Sequence, residues 1–180
     1  SQFIRKEKRR KNKKLLGELY DFPDGTMSVG RLDEKSEGLL ILTTDGKFSY
    51  DIRLAKVEKE YFVQVDGLID ESAIKELVRG VEIGFHGKKY KTLPCLARII
   101  PDPSFPPRPQ KIRDSRHGPT SWISVTLTEG KYRQVRKMTA AVGFPTLRLV
   151  RIRIGRLKIK ELEPGFVRRI KKSEVLHEGK

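Results

Sequence analysis

Residues 30–46 read GRLDEKSEGLLILTTDG, a short polar loop carrying Asp33 directly ahead of the apolar run Leu39, Leu40, Ile41 and Leu42. Residues 27–32, MSVGRL, have the pattern of a strand, and the apolar run predicts a second strand buried on both faces. A loop pinned between two strands holds its side chains rigidly. Rigid placement is what a catalytic carboxylate needs, since displacement by about 1 Å costs on the order of a hundredfold in rate. Asp beside Ser and Gly is more often the chemistry of turns and helix caps. Spacing alone therefore leaves Asp33 with that structural role.

The rest of the chain alternates strand and helix signals without the regular crossovers of a parallel, doubly wound sheet. YFVQV (61–65) and WISVTL (122–127) read as strands. ESAIKELVRG (71–80) and RQVRKMTAAVG (133–143) read as helices, the second ending at a glycine stop. LRLVRIRIG (147–155) with FVRRI (166–170) predicts a late β pair around the EPG turn. This mixture is α+β rather than α/β. At 180 residues and 37% apolar content, one domain with a core of its own is expected.

The formal net charge is +16 and the pI about 10.1, more than solubility requires, and this points to a polyanionic partner with nucleic acid foremost. A membrane surface fits less well: there is no apolar run long enough to span a bilayer, no signal-peptide pattern and no strongly amphipathic basic helix. Charge concentrates in two places. Residues 4–14, IRKEKRRKNKK, form a cationic arm within residues 1–14 that includes Arg9, Arg10, Lys11, Lys13 and Lys14. Residues 101–119, PDPSFPPRPQKIRDSRHGP, predict an extended, exposed basic loop carrying Arg108, Lys111, Arg113 and Arg116, too rich in proline for a helix or central strand. Both are expected to contact RNA phosphates, the alternative being a solvated arm and a loose insertion. The single cysteine, Cys95, cannot form an internal disulfide and reads as a small core residue of a reducing, cytoplasmic compartment. His86, His117 and His177 lack ligand spacing, so no metal site is expected.

Three blocks in this order resemble the RsuA/RluB/RluE/RluF family of pseudouridine synthases: GRLDEKSEGLLILTTDG, KEYFVQVDG (59–67) and EGKYRQVRKMTAAVGFPTLRLVRIRIG (129–155). The likeness spans about residues 25–172, and PTSW and VGFPTLRLVR are most similar to the RluE branch. The resemblance implies the pseudouridine synthase fold, a mixed, mainly antiparallel sheet flanked by helices with a catalytic cleft across its middle. It implies isomerisation of a uridine in large-subunit (23S) ribosomal RNA with no cofactor, by a monomer needing no protein partner. Asp33 takes the catalytic role in this reading, and Arg31 of the same motif contacts substrate. Tyr61 stacks on the flipped base, Arg136 pairs with Asp33, and Leu149 lines the pocket.

Arg suits the pairing role because its planar fork can hold both oxygens of a carboxylate while remaining charged. The residues alone favour Arg136 as one more helix cation facing phosphate, beside Arg133 and Lys137, which are taken as RNA contacts. An aromatic in an alternating strand, as Tyr61 is, is usually core. Family members begin their catalytic domain with a Lys-Pro strand and many carry a small S4 RNA-binding module. Neither element is present here, and residues upstream of Ser1 are expected to be missing. Two competing readings are a non-catalytic ribosomal-RNA-binding or assembly protein and a nuclease with Mg²⁺ held by Asp33, Glu37 and Asp45.

Overall fold

A computed structural model describes residues 15–54, 56–85, 87–108, 117–160 and 162–176. Arg9, Arg10, Lys11, Lys13 and Lys14 of the arm, Lys111, Arg113 and Arg116 of the loop, and His86 and His177 lie outside the described residues. Among the described residues, no helix is long and apolar enough to cross a membrane.

Strand periodicity builds the centre of the molecule. Val63 and Val65, and Ile123 and Val125, recur at every second position of two segments, Leu149 joins them from a third, and all five are buried. These segments are β4 (Lys59–Asp66), β8 (Thr120–Leu127) and β9 (Thr146–Ile154), with β4 antiparallel to both neighbours. The sheet continues to β7 (Leu96–Ile100) beyond β8 and to β10 (Leu157–Lys158) beyond β9, giving the order β10-β9-β4-β8-β7. A two-residue strand, β2 (Glu37–Gly38), adds to β9 in parallel and makes the sheet mixed. Two small antiparallel pairs lie apart from it: β1 (Met27–Ser28) with β3 (Leu42–Thr43), and β5 (Glu82–Phe85) with β6 (Lys88–Lys91).

Two helices cover the apolar face. In α2 (Glu71–Arg79) Asp70 caps the start, accepting from the Ala73 amide at 2.8 Å, and Gly80 at φ +85° ends it. In α3 (Gln134–Ala141) Val135 and Met138 face inward, and Gly143 at φ +88° closes the turn that follows. Together they seal a core of Val63, Val65, Leu77, Ile123, Val125 and Leu149. Cys95 belongs to this core, donates to the Leu77 carbonyl at 3.2 Å, and has its thiol pushed up to about 11, by burial first and then by the charge of Glu129. A second cluster, with Val29, Leu39, Ile41, Phe48, Ile52, Ile154 and Val175, joins α1 (Gly46–Leu54) to the other end of β9.

The architecture is the expected α+β arrangement, with two local differences. Residues 27–32 and 39–42 do not form two long strands. β1 stops at Ser28, Leu39 and Ile41 are buried while Leu40 and Leu42 are half-buried, and the apolar run divides its hydrogen bonds between two partners. Its start bonds to β9 through the Leu39 amide and Arg151 carbonyl at 2.9 Å, and its end bonds to β1. The predicted pairing of 166–170 with β9 is likewise absent. Gly155, at φ +55°, turns the chain so that β10 pairs at once, with Leu157 opposite Ile154, and the Arg156 amide donates to the Val175 carbonyl at 3.1 Å. FVRRI is then left as irregular, largely exposed chain, with Ile170 packed on the second core.

Candidate active site

Asp33 lies in a tight turn between β1 and β2, closed by the Ser36 amide donating to the Asp33 carbonyl at 2.9 Å. The chain leaves this turn as β2, and Gly38 explains the close approach. Its φ is +99°, and a Cβ there would sit 2.2 Å from the Arg151 carbonyl oxygen. Only glycine permits that contact between the loop and β9.

Side chains of two elements then grip the loop by its backbone. From α3, Arg136 donates through Nη2 to the Lys35 carbonyl at 2.8 Å and through Nη1 to the Thr146 carbonyl at 3.3 Å. From β9, the buried Arg151 donates through Nε to the Leu39 carbonyl at 2.7 Å and through Nη1 to the Arg31 carbonyl at 3.2 Å. Bonds from a charged donor contribute about 1.5–3 kcal/mol each, so these contacts hold the loop more firmly than its short strands could. The Arg136 guanidinium is easier to deprotonate than an ordinary arginine, through burial first and the charges of Arg133 and Arg108 as well, while the charge of Asp33 opposes the shift. The charge of Asp33 thus acts on Arg136, while the hydrogen bonds of the guanidinium go to the Lys35 and Thr146 carbonyls. Ser36 Oγ, Arg136 Nε and Arg151 Nη2 are buried without a hydrogen-bond partner among the described residues, and all three belong to this loop or its grips.

Glu37 extends from the loop on the opposite side. It accepts from Arg148 Nε at 3.0 Å and Nη2 at 2.8 Å, and Arg108 Nη1 approaches it at 3.5 Å. Arg148 also donates to the Pro106 carbonyl at 2.9 Å, and its guanidinium lies 5.4 Å from the Phe105 ring centre. Phe105 in turn packs near Phe62 and Trp122. The first half of the proline-rich loop is thus seated against the sheet beside the Asp33 turn, and Arg108 is mostly buried there. Asp45 starts α1, accepting from the Phe48 amide at 2.9 Å, and pairs with Lys172. Glu37 and Asp45 consequently have separate cationic partners, and among the described residues no group of three or more His, Cys, Asp or Glu could hold a metal ion.

The other candidates lie on several different elements. Tyr61 is half-buried on β4 directly opposite Arg151 of β9, and Leu149 opposite Val63 belongs to the first core. Arg31 is exposed, contributing its carbonyl to Arg151. Arg133, exposed at φ +52°, precedes α3. Lys137 donates to the Gly84 carbonyl at 2.6 Å and lies near the Phe85 and Tyr132 rings, so its ammonium is tied to the β5–β6 pair. Arg148, Arg151 and the pairing role of Glu37 were not read from the sequence. The available signal was the interruption of an apolar strand by arginines in TLRLVRIRI, because a cation inside a buried strand requires a partner.

A profile of the RNA pseudouridylate synthase family matches residues 2–141. Ribosomal large subunit pseudouridine synthase E of Vibrio vulnificus is 44% identical over 140 residues, 77% of this chain and 58% of that protein. The synthase E of Xanthomonas campestris is 40% identical over 156 residues, 85% of this chain and 81% of its own length. Ribosomal large subunit pseudouridine synthase B of Yersinia pestis is 36% identical over 135 residues, 74% of this chain and 37% of its length. The chain therefore spans less than two thirds of the Vibrio and Yersinia relatives. Among solved structures, a crystal structure of a pseudouridylate synthase superposes with TM-score 0.72 at 30% identity, covering 89% of this chain and 64% of that one. On the sequence profile and the matching fold together, the chain belongs to the RNA pseudouridylate synthase family, with greater likeness to ribosomal large subunit synthase E than to synthase B.

Proposed function

We propose that this chain converts a uridine of large-subunit ribosomal RNA to pseudouridine, with Asp33 as the acting carboxylate. The observation that carries the reading is the turn around Asp33, gripped through its backbone by Arg136 and Arg151 in a chain of this family. The reaction breaks the bond from N1 to the ribose, turns the uracil and rejoins it through C5, whose proton leaves. Neither net hydrolysis nor redox chemistry is involved, so the chain's own side chains suffice. Asp33 serves either as nucleophile toward the ribose or as base for a ribose proton.

The target base must leave its stack, at a cost of a few kcal/mol that protein contacts offset. In this reading Tyr61 stacks on the uracil and Arg136 pairs with Asp33 and orients it. Leu149 takes the family's pocket-lining role, and Arg31 with the exposed cations takes phosphates. The chain is proposed to act as a single catalytic domain and a monomer in the cytoplasm, where ribosomal RNA is available.

The test uses 23S ribosomal RNA carrying tritium at uracil C5. The wild-type chain should release tritium and leave pseudouridine at a mapped position, whereas Asp33→Asn should bind the RNA with wild-type affinity and release none. Turnover by Asp33→Asn, after deamidation has been excluded, would refute the role of Asp33. Tight RNA binding without release by the wild type would favour a non-catalytic ribosomal RNA-binding protein.

A further inference from the structure

Arg151 is 4% exposed, and its hydrogen bonds go to main-chain carbonyls rather than to a carboxylate. Burying a guanidinium is costly unless its donors are matched, so the two bonds that Nε and Nη1 make are informative, while Nη2 has no partner among the described residues. The two carbonyls belong to Arg31 and Leu39, the entry and exit of the segment that carries Asp33. One planar fork therefore closes that segment like a clasp. Arg136 holds its middle through Lys35, two residues after Asp33, just as Arg31 lies two residues before it. The Leu39 amide returns a bond to the Arg151 carbonyl at 2.9 Å, and Gly38 admits the close approach this requires. Arg151 also stands directly across β4 from Tyr61. The same residue thus fixes the height of the Asp33 loop relative to the strand carrying the aromatic ring.

We infer that Arg151 is a positioning residue for Asp33, acting by fastening residues 31 and 39 to β9 rather than by touching the nucleotide. Lysine cannot replace it. An ammonium keeps the charge, but it lacks the rigid fork that reaches two carbonyls in different directions. Only the turnover arm of the following test depends on the proposed function.

The test compares Arg151→Lys and Arg151→Gln with the wild-type chain, first by amide hydrogen exchange. The Ser36 amide, bonded to the Asp33 carbonyl, reports on the loop, and the β4–β8 amides report on the sheet. In both variants the amides of residues 33–38 should exchange about tenfold faster or more while the β4–β8 amides keep their wild-type rates. Tritium release should then show kcat lowered by about ten- to a hundredfold with KM little changed, and as strongly for Lys as for Gln. Wild-type exchange of the loop in both variants would overturn the inference. Loosening of the β4–β8 amides to the same degree as the loop in the Lys variant would do the same, since Arg151 would then merely stabilise the sheet. Full kcat in Arg151→Lys, or a raised KM with kcat unchanged, would make it a charge or binding residue instead. Should the wild-type chain release no tritium, the proposed function fails and the exchange comparison still decides the role of Arg151.

Discussion

Strands β4, β8 and β9 meet along long ladders, regular between β4 and β8 and shifted in register at two points between β4 and β9, and bury an apolar face under α2 and α3. Residues 31–39 contribute only a two-residue strand to the same sheet and are held by guanidinium bonds to carbonyl oxygens. The first region is stabilised by many weak, non-directional contacts, which average over small changes in shape. The second depends on a few directional bonds and one glycine, each irreplaceable by a residue of merely similar size or charge. A rigid sheet lends its rigidity to a loop that has little ladder of its own, and arginines from α3 and β9 make the transfer. Damage to the sheet should thus appear as lost stability, and damage to the loop as lost catalysis.

The largest effect is expected from Gly38→Ala, which attacks the loop alone. Its Cβ would meet the Arg151 carbonyl at 2.2 Å, and alanine is strained at φ +99°, so β2 must leave β9. Turnover should fall by about a hundredfold or more, the usual consequence of moving a catalytic group by about 1 Å. Near-wild-type turnover in steady-state assays would show that the contact between Gly38 and Arg151 is dispensable and remove the contrast between the regions.

Leu77→Ala attacks the sheet side instead. Leu77 is fully buried in the first core on α2, away from the Asp33 loop, and its truncation should cost about 2–5 kcal/mol of stability. The unfolding midpoint should drop by about 5–15 °C. The kcat of the folded fraction at low temperature should stay at the wild-type value. A fall in kcat comparable to that of Gly38→Ala would mean that the core and the loop are coupled more tightly than their contacts suggest.

The smallest effect concerns an ion pair on the sheet. Burial raises the Glu60 carboxyl, but hydrogen bonds from Arg153 at 2.9 Å and Ser124 at 2.9 Å outweigh it and leave the group below the usual range. A carboxyl whose folded pKa is depressed contributes stability above its unfolded pKa of about 4.3 and loses it as pH falls through the folded value. Arg153→Met should therefore cost about 1 kcal/mol at pH 7, allowing for partial exposure of the pair. Denaturant melts at a series of pH values should show the gap from wild type narrowing once the pH drops below about 4. A gap independent of pH would mean that Arg153 acts through packing, and activity is expected to be unaffected throughout.

Period-2 alternation in YFVQV and WISVTL, the helix spacing of residues 71–80 and the glycine at 143 were enough to place the central strands and two helices, because these follow from local geometry. The order of three motifs was enough to choose the family, and the roles of Asp33, Tyr61 and Arg136 drawn from the same motifs stand as proposals. The charge of +16 was enough to suggest a polyanionic partner. Pairing over long sequence distances was not legible. No local rule says that the apolar run after Glu37 divides between β9 and β1, or that Gly155 turns β9 into β10 and leaves residues 166–170 without a strand. The arginines of β9 looked like ordinary basic residues in the sequence. Their roles rest on carbonyls and a carboxylate more than a hundred residues away along the chain, Arg151 lying 112 positions after Leu39 and Arg148 111 positions after Glu37. Local propensity and motif order reside in the sequence, whereas matching a buried donor to its acceptor is decided only when the two segments meet in the folded chain.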